Sequence, residues 1–201
     1  MYAASCSKHG NSEICWADNH QHMDELFFLP STPVAMPRAY WFDHFFLSSQ
    51  IIVAEPSEET WLLVENAMDH HEGHDYDMDI LNKLLGNSSL VIPHRNYNLL
   101  SSEFRREPHD HKSYLGSPTE IWNPRKTLAE AKFVHFSDWP MPKPWIAPRK
   151  KELEENLPQC SSGEGMVEDC TDRMIWLELR DDFSKRRMVC GSLEWTRLST
   201  S

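Results

Sequence analysis

Glycine is scarce in this chain, with seven in 201 residues. None fall in a G-x-G-x-x-G or G-x-x-x-x-G-K-[ST] spacing, which excludes a complete classical dinucleotide-binding or P-loop domain. No two cysteines form a C-x-x-C pair, so a zinc ribbon or thioredoxin-type site lacks support. The five cysteines, Cys6, Cys15, Cys160, Cys170 and Cys190, are odd in number and leave at least one thiol free. Cys160 and Cys170 flank a polar stretch, and two readings stay open: a bridge, which would suit a secretory protein, or free thiols. Long apolar runs are absent too, none approaching the ~18 residues that span a bilayer. The opening residues lack the apolar block of a signal peptide, so the chain as written predicts a cytoplasmic or unassigned location. Basic residues are outnumbered, 20 against 31 acidic ones, for a net charge of −11. Such a field repels nucleic acid and anionic lipid surfaces. It still permits a smaller anion carried in on a divalent cation.

Bulky apolar residues are plentiful. A hydrophobic fraction of 40%, with 8 Trp, 9 Phe and 5 Tyr, supplies a core and argues against extensive disorder. The first 22 residues are polar and aperiodic, with no element expected. Residues 29–46, with Pro30, Pro33 and Pro37, read as extended loop whose Trp41/Phe42/Phe45/Phe46 cluster is expected in the core. The β-branched run in 47–54 predicts a buried strand ended by Pro56. Ser57 followed by Glu58 and Glu59 is an N-cap signal, and Trp61, Leu62, Val64 and Met68 continue at helical spacing. Asp75 or Asp77 is expected to cap a second helix through Ile80, Leu81, Leu84 and Leu85, stopped by Gly86. Residues 89–93 read as a short strand, 95–98 as a turn, 107–123 as loop and 132–136 as a strand. Pro140, Pro142, Pro144 and Pro148 forbid regular structure. Residues 149–170 read as a link, and 173–189 as a helix with a basic end.

The densest set of possible ligands is 69–79, which holds His70, His71, Glu72, His74 and four aspartates. A zincin pattern would need histidine where Asp75 stands. An EF-hand loop opening at Asp75 would need glycine and glutamate where Ile80 and Gly86 stand. Both fail, and a solvated acidic turn capping a helix is the reading that remains. His135, between Val134 and Phe136, reads by itself as a core or rim histidine satisfied by a hydrogen bond.

Taken in order, Met23-Asp24-Glu25-Leu26-Phe27, Leu29-Pro30-Ser31-Thr32-Pro33, the segment opening at Asp77, Tyr97-Asn98-Leu99, and His135-Phe136 with Lys143-Pro144-Trp145 resemble the later part of the family 8, glycogenin-like glycosyltransferases. The likeness is stronger to the fungal branch that includes Golgi N-acetylglucosaminyltransferases, and it covers roughly residues 23–148. The resemblance implies an α/β chain with part of the A-type nucleotide-diphospho-sugar transferase fold, a mixed sheet and a missing N-terminal nucleotide-binding half. It divides the chain into a divergent segment (1–22), the later part of the transferase domain (23–148) and a linker with a helical extension (149–201). The implied activity is retaining transfer of a sugar, N-acetylglucosamine in that branch, from a nucleotide-sugar donor to a glycan acceptor in the Golgi. It further implies manganese held partly by His135, with Lys143 on the donor diphosphate, Asp77 near the reacting sugar and Asp79 beside it on the donor side. Tyr97 and Asn98 match a pair that shapes the pocket.

The chain departs from the family where the Asp-x-Asp metal pair belongs: that place reads Glu13-Ile14-Cys15-Trp16-Ala17, and Ser48-Ser49-Gln50 replaces Asn-Ser-Gly. These departures motivate an alternative, a non-catalytic remnant that binds a glycan or a protein through Trp41, Trp139 and Trp145.

Overall fold

The computed structural model describes residues 7–9, 12–14, 22–107, 110–161 and 168–191. They fall into two units, one drawn from residues 18–100 and 108–135, the other from 1–17, 101–107 and 136–201. These boundaries differ from the 23–148 block outlined by the resemblance, because the chain leaves the first unit after His135. The chain opens with an antiparallel pair, β1 (Ser7–His9) and β2 (Ser12–Ile14), where the polar composition had suggested no element.

In the unit containing 18–100, a 3-10 turn at Asp24–Phe28 precedes β3 (Val34–Pro37). This strand lies inside the segment expected to be loop. It is central in a mixed sheet, antiparallel to β4 (Val53–Ala54) and parallel to β5 (Leu90–Ile92). Successive side chains of a strand face opposite sides, and both sides of β3 are covered. Ala35 packs with Leu26, Ile51, Ile92, Tyr97 and Phe133, whereas Val34 and Met36 pack with Leu47 and Leu85. Pro37 is tolerated because it ends the strand.

The strand expected over 47–54 shrinks to β4. Asn82 takes both backbone groups of Leu47, its Oδ1 accepting from the Leu47 N–H and its Nδ2 donating to the Leu47 carbonyl, each at 2.8 Å. A side-chain amide thus stands where a neighbouring strand would pair. The aromatic cluster is also corrected: Phe45 is 60% exposed, and the buried residues on either side are Tyr40 and Leu47.

Helix α1 (Glu58–Asp69) begins as expected, with the Ser57 Oγ accepting from the Thr60 N–H at 3.3 Å. Helix α2 (Asp77–Leu85) stops at Gly86, where an added Cβ would lie 2.5 Å from the Asn82 carbonyl oxygen. The 95–98 turn is a one-turn helix, α3 (His94–Tyr97), leading into β6 (Leu99–Leu100). Two more helices, α4 (Lys112–Leu115) and α5 (Pro124–Glu130), precede β7 (Val134–His135), which pairs in parallel with β6.

In the other unit, α6 (Lys150–Glu155) occupies part of the expected link, and α7 (Thr171–Gly191) is the long helix foreseen at the C-terminal end. Asp169 caps α7, its Oδ1 accepting from the Thr171 N–H at 2.9 Å. Cys160 and Cys170 form a disulfide just ahead of it. Ile175, Trp176, Leu179, Arg180 and Phe183 form its buried stripe at helical spacing. Among the described residues no helix is long and apolar enough to cross a membrane.

Candidate functional site

Asp138 is the hub of the unit that contains α7. It is 4% exposed. Its Oδ2 accepts from the Ser101 hydroxyl at 2.8 Å, and its Oδ1 accepts from the Trp176 indole N–H at 2.9 Å. The Arg180 guanidinium lies 3.4 Å from Oδ2 and donates a better hydrogen bond, 2.9 Å, to the Pro142 carbonyl. Burial pulls Arg180 below its ordinary pKa, opposed by the attraction of Asp138. Arg105 donates to the Asp138 carbonyl at 3.0 Å. Both guanidinium groups sit over the Trp176 ring, at 5.1 Å for Arg180 and 5.9 Å for Arg105, as cation–π contacts.

The stretch held in this way, Asp138 to Lys143, contains a cis Trp139–Pro140 bond and borders a recess of about 170 Å³. Ser137, Asp138, Trp139, Pro142, Lys143 and Arg180 line it. Lys143, expected at a diphosphate, is exposed, and its ammonium donates to the Phe136 carbonyl. Trp139 stands 88% exposed. Trp145 is half-buried against Phe183.

The other expected residues lie in the unit containing α2. Asp77 opens that helix, exposed, and no hydrogen bond or ion pair engages its carboxylate among the described residues. Asp79 accepts from the Tyr76 N–H at 3.0 Å, which makes it an N-terminal cap. The 69–79 cluster behaves as its spacing suggested. Asp75 pairs with Lys83 at 2.7 Å, which lowers the Asp75 pKa, and the His70 ring bonds the Asn66 carbonyl at 2.7 Å. His135 ends β7, half-buried.

Manganese requires several oxygen or nitrogen donors converging on one point. Among the described residues, the one group of three or more His, Cys, Asp or Glu donors close enough for this is Cys160, Glu168 and Cys170. Its two cysteines are tied in the disulfide. No such set forms around His135, Asp77 or Asp79, so the residues described do not fit a complete manganese site.

Two of the sequence segments quoted for the resemblance do meet. The Glu25 carboxylate accepts from the Tyr97 hydroxyl and from the Lys132 ammonium. Those bonds, Lys132 first, hold the Glu25 pKa down at about 2. Burial, then Glu25, pushes the Tyr97 hydroxyl well above its ordinary value. Asn98 is fully buried and donates to the Arg38 carbonyl at 3.0 Å, with no partner for its Oδ1 among the described residues. Tyr97 and Asn98 thus each hold a distant segment, Glu25 and Arg38.

Sequence reasoning missed Asp138, Trp176 and Arg180. The available signals were the place of Asp138 between His135 and Lys143, and the i, i+4 spacing of Trp176 and Arg180.

Comparison with curated proteins gives a consistent set of relatives. The chain is 49% identical, over 187 residues and 86% of its length, to Glucose N-acetyltransferase 1 of Aspergillus fumigatus, of which it covers 48%. It is 46% identical to the protein of the same name in Gibberella zeae, across 86% of this chain and 38% of that protein. In Candida albicans the protein of that name is 30% identical across 74% of this chain and 41% of its own length. The chain is therefore homologous to fungal proteins of that name and spans about half their length or less. No family model matches it, and no solved structure matches it.

Proposed function

We propose that this chain carries the donor-diphosphate side of a glycosyltransferase that moves N-acetylglucosamine from a nucleotide sugar to a glycan acceptor. The observation that carries the proposal is the 49% identity, across 86% of the chain, to a protein whose name joins glucose, an N-acetyl group and transfer. A glycogenin-like, A-type fold is part of the proposal, supported by the mixed sheet around β3 and by the order of the matched segments.

In such a transfer the bond between the anomeric carbon and a diphosphate oxygen breaks, and its electron pair leaves with the nucleotide. The acceptor hydroxyl oxygen forms the new bond to that carbon and gives up its proton to the departing diphosphate oxygen. Negative charge grows on the departing diphosphate, so a fixed cation there lowers the barrier. Lys143 is the residue we assign to that task, since it lines a recess beside the buried Arg180. Asp77, exposed at the start of α2, is assigned to the reacting sugar and Asp79 to binding the donor. The described residues do not assemble a set of manganese ligands around Asp77, Asp79 or His135. We also assign the chain to the Golgi lumen. The Cys160–Cys170 disulfide supports an oxidising compartment.

The test is an assay of the purified chain with a panel of nucleotide sugars, with and without manganese, and glycan acceptors. Transfer of N-acetylglucosamine, reduced at least tenfold in Lys143→Ala, is the expected result. Consumption of no donor, by transfer or by hydrolysis, contradicts the proposal.

A further inference from the structure

We infer that Arg180 of α7 is a second cationic ligand for the donor diphosphate, acting beside Lys143 in the recess that both residues line. The identity of the ligand rests on the proposed function. The placement of the second cation does not.

Charge supplies the first argument. In a chain of net charge −11, Lys143 and Arg180 line one recess, and Arg105 donates to the backbone carbonyl of Asp138, another of its lining residues. The Arg180 guanidinium also faces the Asp138 carboxylate at 3.4 Å. That carboxylate already accepts from Ser101 and Trp176. Bracing a loop needs only a neutral donor to the Pro142 carbonyl. A buried guanidinium is costly to desolvate; Asp138 at 3.4 Å offsets part of that cost, and an anion in the recess would offset more.

Geometry supplies the second. A guanidinium has five N–H donors in a rigid plane. Arg180 uses one on the Pro142 carbonyl and another, at 3.4 Å, on Asp138, which leaves donors for the recess it lines. The guanidinium lies over the Trp176 ring at 5.1 Å and bonds Asp138 and Pro142, so little side-chain freedom is lost when an anion arrives. Because Pro142 precedes Lys143, the same guanidinium also holds the backbone that presents the lysine.

Size supplies the third. About 170 Å³ is roughly five or six water volumes at ~30 Å³ each, enough for a diphosphate group. Whole-ligand pockets run to about 300–1,000 Å³. The recess therefore suits the charged linker of the donor, with the remaining groups lying outside it.

The experiment is calorimetric titration of inorganic pyrophosphate into the full chain with EDTA present, over a series of salt concentrations. The variants are Lys143→Ala, Arg180→Gln, Arg180→Lys and Arg105→Gln. Lys143→Ala and Arg180→Gln are each expected to weaken binding at least tenfold and to flatten its salt dependence. Arg180→Lys, which keeps the charge, is expected to recover most of the loss. Arg105→Gln removes a loop brace that does not line the recess and is expected to lower the melting temperature while changing affinity less than threefold. Should Arg180→Gln fail to fold, Arg180→Lys carries the test through a two- to threefold loss with the wild-type salt slope. Wild-type affinity and salt slope in the folded Arg180 variants overturn the inference. Loss of binding in Lys143→Ala alone overturns it too and leaves the proposed function standing. Pyrophosphate binding that depends on both residues, in a chain that transfers no sugar, supports the inference and overturns the proposed function.

Discussion

Glu25 and Tyr97 share a hydrogen bond across 72 residues of sequence, and Lys132 reaches the same carboxylate oxygen from 107 residues away. One acceptor thereby ties the turn at Asp24–Phe28 to α3 and to the residue just before Phe133 in the core.

This carboxylate makes stability depend on acid. In the folded chain its pKa is held down at about 2, below the ordinary glutamate value, so its contribution is complete above pH ~4.5 and is lost as pH falls toward 2. Because Glu25 is 43% exposed, solvent screening limits the effect to about 1 kcal/mol. Urea unfolding of Glu25→Gln at pH 7 and pH 3 should show a smaller loss between the two pH values than the wild type. An identical pH dependence would remove Glu25 from the account.

Asn82 replaces a strand neighbour for Leu47, and Asn82→Ala leaves two buried backbone groups without partners. The expected cost is about 2–3 kcal/mol, read by denaturant unfolding. Loss of less than 0.5 kcal/mol would show that Leu47 finds other partners, against an expectation set by the cost of unpaired buried groups.

Asp138→Asn keeps the shape of the hub and removes the charge facing Arg180. An uncompensated buried guanidinium should cost about 3 kcal/mol, with a lower melting temperature. Full retention of stability would mean that Arg180 is balanced by other groups.

Asp77 and Asp79 separate by what they touch. Asp79→Ala removes the acceptor of the Tyr76 N–H and is expected to cost about 1 kcal/mol. Asp77→Ala, at an exposed carboxylate, should change stability by less than about 0.5 kcal/mol while abolishing sugar transfer. Equal activity in Asp77→Ala and the wild type would remove Asp77 from the site.

Local chemistry was legible in the sequence where one side chain decides the backbone. Ser57 starts α1, Gly86 stops α2, and the failed zinc and calcium spacings of 69–79 ended as helix caps and an ion pair. What was not legible depends on distant partners. Residues 47–54 read as one buried strand, yet Val53–Ala54 is the part that pairs in the sheet, and Leu47 is held by Asn82, 35 residues beyond it. Val34–Pro37 was hidden by prolines although both its faces are buried. Of the residues lining the recess, the resemblance pointed to Lys143 alone, as a diphosphate ligand. The Asp138–Trp176–Arg180 cluster could not be read, because a charged residue on a helix usually faces solvent.

The central claim is that the Lys143 and Arg180 recess receives the diphosphate of a nucleotide sugar. Its most direct measurement is calorimetric titration of a nucleotide-diphospho-N-acetylglucosamine into the chain and into Lys143→Ala, alongside a glycan titrated without nucleotide. The account expects donor binding that weakens at least tenfold in Lys143→Ala. Glycan binding with no nucleotide-sugar binding in either protein would contradict it and identify a carbohydrate-binding module in its place.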